Sequence, residues 1–420
     1  MKKPKEKSLW KNQTYIQVFS AYSILMFGVF VDMLAIMTIV SFEWKEDPTM
    51  IGLIPVSYAL PGILFGSWAG VFADRFRKIP IMIFCNIMIA VLTIVLLSVQ
   101  NMHELLLVLM IRSTFGVFFY PAQQTLTRHI VSANHLTKAV SMNGIVEQAA
   151  KIIGPLVGGM LLSLFQPEVC LVIRAVSCLL AAFILLPMIR LVEDQPRQNS
   201  VKGKQSSWAE WLHGWGYVLS NRKVLVTMIF VCISMALLQL VDSQFPTLFK
   251  SLFPNNKSMM GYVLSIVGIG GVLSALFIQR LKHFQYGWVI GGGTALMGIG
   301  FGGIGLITAS TPFIFCYLIG FIAGIGSGLM LVSNQVILQK EVNQEQIGRV
   351  FGIKSSLTNA ILIISPSMSG PLVHLVGVTR LYFYVGTGLL MVGFIGILFQ
   401  KKFWGAQVPI QKEGREVYIP

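Results

Sequence analysis

The chain has 420 residues, of which 55% are hydrophobic and only 12% charged, and its mean hydropathy is +0.72. Water-soluble domains usually carry about a quarter of their residues as charges, so that class is excluded. A formal net charge of +15 would suggest nucleic acid for a soluble protein; in a membrane protein it reads as loop charge that sets orientation, and no nucleic-acid partner is expected.

Charge-free stretches such as Ile79–Val99, Val224–Leu240 and Leu381–Phe399 are long enough to cross a bilayer as helices. Their continuity is unlike the alternation of a membrane barrel strand. The expected fold class is therefore an all-α membrane protein. After the basic start "MKKPKEKSLWKNQ", which leads into an apolar run too long for a signal peptide, hydropathy gives about twelve spans. The first half holds Thr14–Val40, Met50–Ala73, Ile79–Val99, Leu105–Leu126, Met142–Phe165 and Val169–Ile189. The second holds Val224–Phe245, Met259–Ile278, Gly287–Thr308, Pro312–Leu338, Val350–Val376 and Leu381–Phe399. Between them lies the polar stretch Leu191–Lys223, so the expected organisation is a six-helix bundle over 1–190, a linker over 191–223, and a second bundle with a tail over 224–420.

Within the linker, Ser207 and Glu210 have capping-box spacing. Trp208, Trp211, Leu212, Trp215 and Leu219 share one helical face, which predicts an interfacial amphipathic helix. Lys and Arg are distributed unevenly. With the N-terminus inside, the outside loops hold only Lys45, Lys250, Lys257 and Arg380, and the other loop and helix-end cations, Lys354 among them, fall inside. By the positive-inside rule both termini are cytoplasmic in a multi-pass cell-membrane protein. The two halves also echo each other at an offset of about 205–211 positions, as internal repeats do. Val31-Asp32 returns as Val241-Asp242, "AGVFADR" as "SALFIQR" ending at Arg280, "AQQ" as "SNQ", and "GPLVGG" as "SPSMSG". Two parallel six-helix repeats are a transporter plan. The five cysteines (Cys85, Cys170, Cys178, Cys232 and Cys316) lie in apolar segments without paired spacing. Neither a disulfide framework nor a metal site is expected, and no cofactor.

Charge is gathered in "GVFADRFRKIPIM" between the second and third spans, at the foot of a Gly62, Gly66, Gly70 stripe that permits close helix approach. Gly70, Asp74, Arg75 and Lys78 here resemble the signature loop of the major facilitator superfamily, although Arg77-Lys78-Ile79 stands where that family usually has Gly-Arg-Lys. The resemblance implies a cytoplasmic gate made by these residues and, at the repeat-related position, Arg280. Arg112 of "RSTFG", four residues before Gly116, is similar to the family's fourth-helix arginine motif. Gly154, Pro155, Gly158 and Gly159 of "GPLVGG" resemble the antiporter motif of exporters, a close-packed and bendable helix. With "FFYPAQQTLTRHIV" and "EQIGRVFGIKSS", these point to the macrolide-efflux and enterobactin-exporter group of drug:proton antiporters. The implied fold is the two-bundle major facilitator fold, and the implied state a monomer.

Six charges fall inside spans: Asp32, Arg112, Glu147, Lys151, Arg174 and Asp242. Each costs about 2.5–3.5 kcal/mol at the centre of a span on insertion scales, so each needs a partner or a water-filled cavity. Glu147 and Lys151 are four apart and can pair; Arg174 is left without a role, with pairing to Glu147 one option. The resemblance places Asp32 and Asp242 at equivalent points of cavity-lining helices. They, with Glu147, are the expected proton carriers, and Arg112, Lys151 and Arg174 their electrostatic partners. Tyr120, Gln123, Gln124, Asn334 and Gln335 would complete the substrate cavity. "GIGFGG" at Gly298–Gly303 fits a dinucleotide pattern but has no strand before it. No phosphate-loop sequence occurs, so an ion gradient is the natural energy source. The expected function is proton-coupled export of an amphipathic small molecule by alternating access. A proton-coupled importer and a non-transporting sensor or scaffold are the alternatives; no nucleophile–base pair points to an enzyme.

Overall fold

The computed structural model describes residues 9–191, 207–280, 285–308, 310–343 and 346–405, and among them lie twelve helices long and apolar enough to cross a membrane. They are α1 (Gln13–Thr38), α2 (Pro48–Arg75), α3 (Lys78–Val95), α4 (Met102–Ile130), α5 (Ala133–Leu164) and α6 (Glu168–Leu185), then α7 (Arg222–Asp242), α8 (Ser258–Arg280), α9 (Tyr286–Ile304), α10 (Phe313–Glu341), α11 (Ile347–Val376) and α12 (Val378–Leu398). Each span expected from hydropathy falls on one of them, and no strand occurs among the described residues.

Short polar residues start these helices by taking up backbone N–H groups that have no intrahelical acceptor. Asn12, Asp47, Asn101 and Asn221 accept from Tyr15, Thr49, Glu104 and Val224 respectively. At the turn from α11 into α12 a single residue reverses the chain. It is Gly377, at φ +83°, where a side chain would be strained. The linker forms a helix over Ser207–Ser220. Its described part docks on the second half: Val218 packs with Val224, Leu338, Val350 and Ile353, and Tyr217 accepts a hydrogen bond from the Asn343 amide at 3.2 Å. The side chains of Trp208, Trp211 and Leu212, on which the interfacial expectation rested, lie outside the described residues, as do 192–206 and the tail beyond 405.

Packing is chiefly within each set of six. α1 lies against α5 and α6, α2 against α4, and α3 against α4 and α6; in the second set α9 lies against α10 and α12, α8 against α10, and α7 against α11 and α12. The glycines of α9 find their reason here. A Cβ on Gly298 would stand 2.6 Å from the Gly386 carbonyl, and one on Gly291 2.7 Å from that of Gly393, so α9 and α12 meet backbone to backbone. "GIGFGG" is packing surface.

Two seams join the sets, α5 to α8 and α2 to α11, and they are unequal along their length. The end of the molecule carrying Arg75, Lys78, Arg280 and Lys340 is called the basic end. At the opposite end a Cβ on Gly261 would lie 2.6 Å from the Pro155 carbonyl, and Gly159 faces Gly261 at similar range. A Cβ on Gly52 would lie 2.5 Å from the Pro366 carbonyl. Toward the basic end, Gly66 and Gly70 of α2, Gly144 of α5 and Gly352 of α11 would meet no atom within 4 Å. Of the Gly62–Gly70 stripe, expected at a close helix contact, Gly66 and Gly70 therefore stand open here, because the halves splay at this end, while a Cβ on Gly62 would touch only Val117 of α4, at 3.9 Å.

Polar ties across the closed end match this. Gln244 donates to the Pro48 carbonyl at 2.8 Å, Lys257 meets Glu43 at 2.7 Å, and His374 meets Asp47 at 2.8 Å. Partial burial would raise the Asp47 carboxyl, but hydrogen bonds from His374 and Thr49 outweigh it and hold the group below its ordinary value.

Two outcomes follow from the closed end. Gly261→Val should force α8 off α5 and cost about 1–3 kcal/mol as overpacking, while Gly144→Val should be near neutral. Spin labels at Lys45 and Arg380 should report a longer distance only for the first. A depressed folded pKa stabilises above the unfolded carboxyl value, near 3.9, and the contribution is lost as pH falls through the folded value. Asp47→Asn should therefore lower the thermal midpoint at pH 7, by less than about 1 kcal/mol because the pair is exposed. The difference from wild type should shrink as pH falls below the ordinary carboxyl value.

Candidate functional site

The charges within spans separate into a sealed cluster and an open one. Asp32 of α1 is buried and meets Arg112 of α4 through both carboxylate oxygens, at 3.0 and 2.8 Å. The remaining Nη protons of Arg112 go to Thr93 of α3 at 3.2 Å and Tyr58 of α2 at 2.7 Å. Thr93 passes its own proton to the Ile89 carbonyl. A planar guanidinium fork suits this arrangement, since two parallel donors match one carboxylate. One side chain thus ties together four helices of the first half. Arg174 of α6 is also buried and donates to the Leu25 carbonyl of α1 at 2.8 Å; that carbonyl, and not Glu147, is its partner.

Glu147 and Lys151, one turn apart on α5, pair at 3.3 Å with their side chains 44% and 45% exposed. Lys151 also borders a cavity of about 170 Å³ between the halves, which it shares with Asp242 at the end of α7. Phe30, Met33 and Met37 of α1, Pro155 of α5 and Phe245 make most of the other wall. Asp242 is thus set in an apolar pocket with one cation on its rim. Two residues further on, Gln244 makes the tie to Pro48 that closes this end, and neighbouring Ser243 donates to Ser369 of α11 at 2.9 Å.

Asp32 and Asp242 stand at matching points of α1 and α7, yet they do not face one chamber. The expectation of a shared chamber is corrected for Asp32, because the Arg112 fork draws its carboxylate into the interior of the first half. Asp242 has no such fork and borders the space between the halves. Of the expected cavity residues, Tyr120, Gln124 and Gln335 are exposed toward the splayed end. Gln123 is buried against Thr127, and Asn334 is buried with no hydrogen-bond partner among the described residues.

In the gate loop Gly70 is open, Arg75 and Arg280 are exposed and Lys78 is buried. Arg77 donates to the Ile189 carbonyl at 3.1 Å. The side chain of Asp74 lies outside the described residues. Gly154 and Gly158 receive Phe30 and Leu34 of α1, while Pro155 and Gly159 receive Gly261 of α8, so this motif packs on both halves at once.

Sequence reasoning missed Lys354, grouped with the basic-end charges. It lies inside the eleventh span, its Nζ 3.4 Å from Gln335 and 5.4 Å from the Phe351 ring centre. A signal was available, since no acidic residue lies within four positions of it on either side. No cluster of metal-ligating side chains occurs among the described residues.

The chain matches the Major Facilitator Superfamily over residues 18–282 and 244–416. It is 28% identical to an uncharacterized MFS-type transporter of Bacillus subtilis (strain 168), YfiS, over 94% of this chain and 95% of that one. Macrolide efflux protein A of Streptococcus pyogenes is 24% identical over 80% of this chain and 84% of its own. The staphyloferrin A transporter of Staphylococcus aureus (strain NCTC 8325 / PS 47) is 19% identical over 85% and 89%. Among solved structures, a bacterial homologue of the human lysosomal transporter Spinster, inward-facing and unoccupied, superposes with a TM-score of 0.71 at 13% identity over 94% of this chain and 96% of that one. The nucleoside transporter NupG gives 0.73 at 17% identity over 93% and 99%.

The sealed cluster generates one test. Arg112→Met should destabilise the protein by about 3–5 kcal/mol, because it leaves a bare carboxylate buried. The double variant Asp32→Asn with Arg112→Met should be more stable than Arg112→Met alone. Denaturation in detergent, read as a double-mutant cycle, measures the difference.

Proposed function

Because this chain belongs to the major facilitator superfamily, we propose that it is a secondary transporter of the cell membrane that exports amphipathic small molecules in exchange for protons. Its relatives that carry a named activity include a macrolide efflux protein and a siderophore transporter, and the first favours export of an amphipathic substrate. The Lys and Arg count favours both termini in the cytoplasm. On that reading the open basic end faces inward, and the closed end, with its Gln244, Lys257 and His374 ties, faces outward. The two six-helix halves rock about the space between them, and Gly66, Gly70 and the Asp74–Lys78 turn gate its cytoplasmic mouth.

One observation carries the coupling: at the closed end Asp242 borders an apolar cavity between the halves, among Phe30, Met33, Met37 and Phe245. On this reading the cavity is dry only while that end is closed. A bare carboxylate in such walls costs several kcal/mol, and a protonated one far less. Protonation from outside therefore permits closure. Once the inner end opens, the proton leaves and Lys151, on the rim, stabilises the resulting anion. Lys151 then divides its attraction between Glu147 and Asp242, which gives Glu147 its part in the relay. Asp32 acts differently, by holding the Arg112 fork and with it the shape of the first half. Tyr120, Gln124 and Gln335 face the substrate, among adaptable Phe and Met walls that suit broad recognition.

Asp242→Asn should leave insertion intact and reduce protonophore-sensitive efflux at least tenfold, measured as accumulation of a labelled panel of cationic, zwitterionic and anionic amphiphiles in cells with and without the protein. Undiminished efflux would refute the coupling. Uptake into inverted vesicles under an acid-inside gradient should be positive, whereas an importer gives the opposite flux.

A further inference from the structure

The second half contains a charged group that the coupling scheme leaves unused. Lys354 stands two turns into α11, within the span Arg349–Val376. An ammonium at such depth normally faces a carboxylate or water. Among the described residues no carboxylate oxygen lies within 4.0 Å of its Nζ, and its neighbours are the neutral Gln335 Oε1 at 3.4 Å and the Phe351 ring. Beside it, Asn334 of α10 is 1% exposed, and both polar atoms of its side chain lack partners among the described residues. A buried amide left unpaired costs about 1–3 kcal/mol. Both side chains border the same cavity, with Cys232 of α7 and Thr358, one turn beyond Lys354. Its volume is about 10 Å³, room for one water-sized atom and no more.

We propose that Lys354 and Asn334 form a subsite for a single anionic group, a carboxylate, carried by the transported molecule. A carboxylate here would accept from the Lys354 ammonium and the Asn334 amide, with the Thr358 hydroxyl close by as a further donor. Its charge would balance Lys354, which has no carboxylate oxygen within 4.0 Å among the described residues. The narrow cavity takes a single carboxylate oxygen, so the rest of the cargo stays in the wide space between the halves. The favoured cargo is therefore an amphipathic carboxylic acid or a zwitterion, and a purely cationic amphiphile is disfavoured at this point. The inference rests on the transport reading, since it concerns the cargo of the same chamber.

The test uses the full chain in phosphatidylcholine nanodiscs, in chloride-free gluconate buffer. The probes are naphthylacetate, its neutral amide, and naphthylmethylamine, read by tryptophan quenching. The wild type should bind the carboxylate at least tenfold more tightly than the amide. Lys354→Met, which keeps the apolar stem, should erase that preference, and Lys354→Arg should keep most of it. Asn334→Asp should erase it too, by giving Lys354 an internal counter-ion, and should raise the thermal midpoint, which separates loss of the site from loss of folding.

Equal affinity for carboxylate and amide, or a preference that survives Lys354→Met, overturns the proposal. So does a Lys354-dependent response to chloride in place of the carboxylate, or a preference that appears only when phosphatidylglycerol is added to the discs. These results would assign the site to an inorganic anion or a lipid headgroup. Binding of the amine and amide with no role for Lys354 defeats this inference and leaves the transport reading standing. Absence of binding by all three probes, together with absence of efflux, defeats both.

Discussion

A charge within hydrocarbon has to be matched by another charge, by a hydrogen-bonded cage or by water, and that constraint organises this molecule. Arg112 answers it with a cage. Its four Nη protons reach Asp32, Thr93 and Tyr58, so the cation and its anion are both satisfied without solvent. The pair need not add net stability over a well-packed apolar pair. Its effect is to allow one arrangement of α1, α2, α3 and α4, because any sliding of one helix strands a buried charge. The first half therefore behaves as a rigid body with a fixed core.

The charges that are not caged lie along the seam between the halves. Glu147, Lys151 and Asp242 line or approach the space between the halves, and Lys354 lies beside Gln335 in the second half. Sealed groups define shape and open groups respond to what enters. The two classes differ in whether a guanidinium or amide fork has been supplied from a neighbouring helix.

Much of this was legible in the sequence. Twelve spans follow from runs of apolar residues, because a bilayer imposes a minimum length and forbids unpaired backbone. The internal echo paired Asp32 with Asp242, which lie on α1 and α7. What the sequence could not show is that the counterparts have different surroundings. Arg112 and Thr93 are 80 and 61 positions from Asp32, and only the fold reveals that both turn toward it. Lys354 was hidden for a related reason. Hydropathy placed the span from Val350, which leaves Lys354 near a boundary. Its depth shows only once α11 is seen to begin at Ile347 and Asn334 is found beside it. The Gly62–Gly70 stripe was read as a contact surface, yet whether a glycine face is covered depends on conformation as well as on composition.

At its closed end the seam between α5 and α8 is built of bare main chain, with Gly159 and the Pro155 carbonyl set against Gly261. Interlocked side chains must withdraw and re-enter a fixed set of rotamers each time two surfaces part. Smooth surfaces have no teeth to disengage. On the transport reading, the bare end of this joint could part and return along the same track without any side chain having to find its slot again, as the bearing of a repeating machine requires.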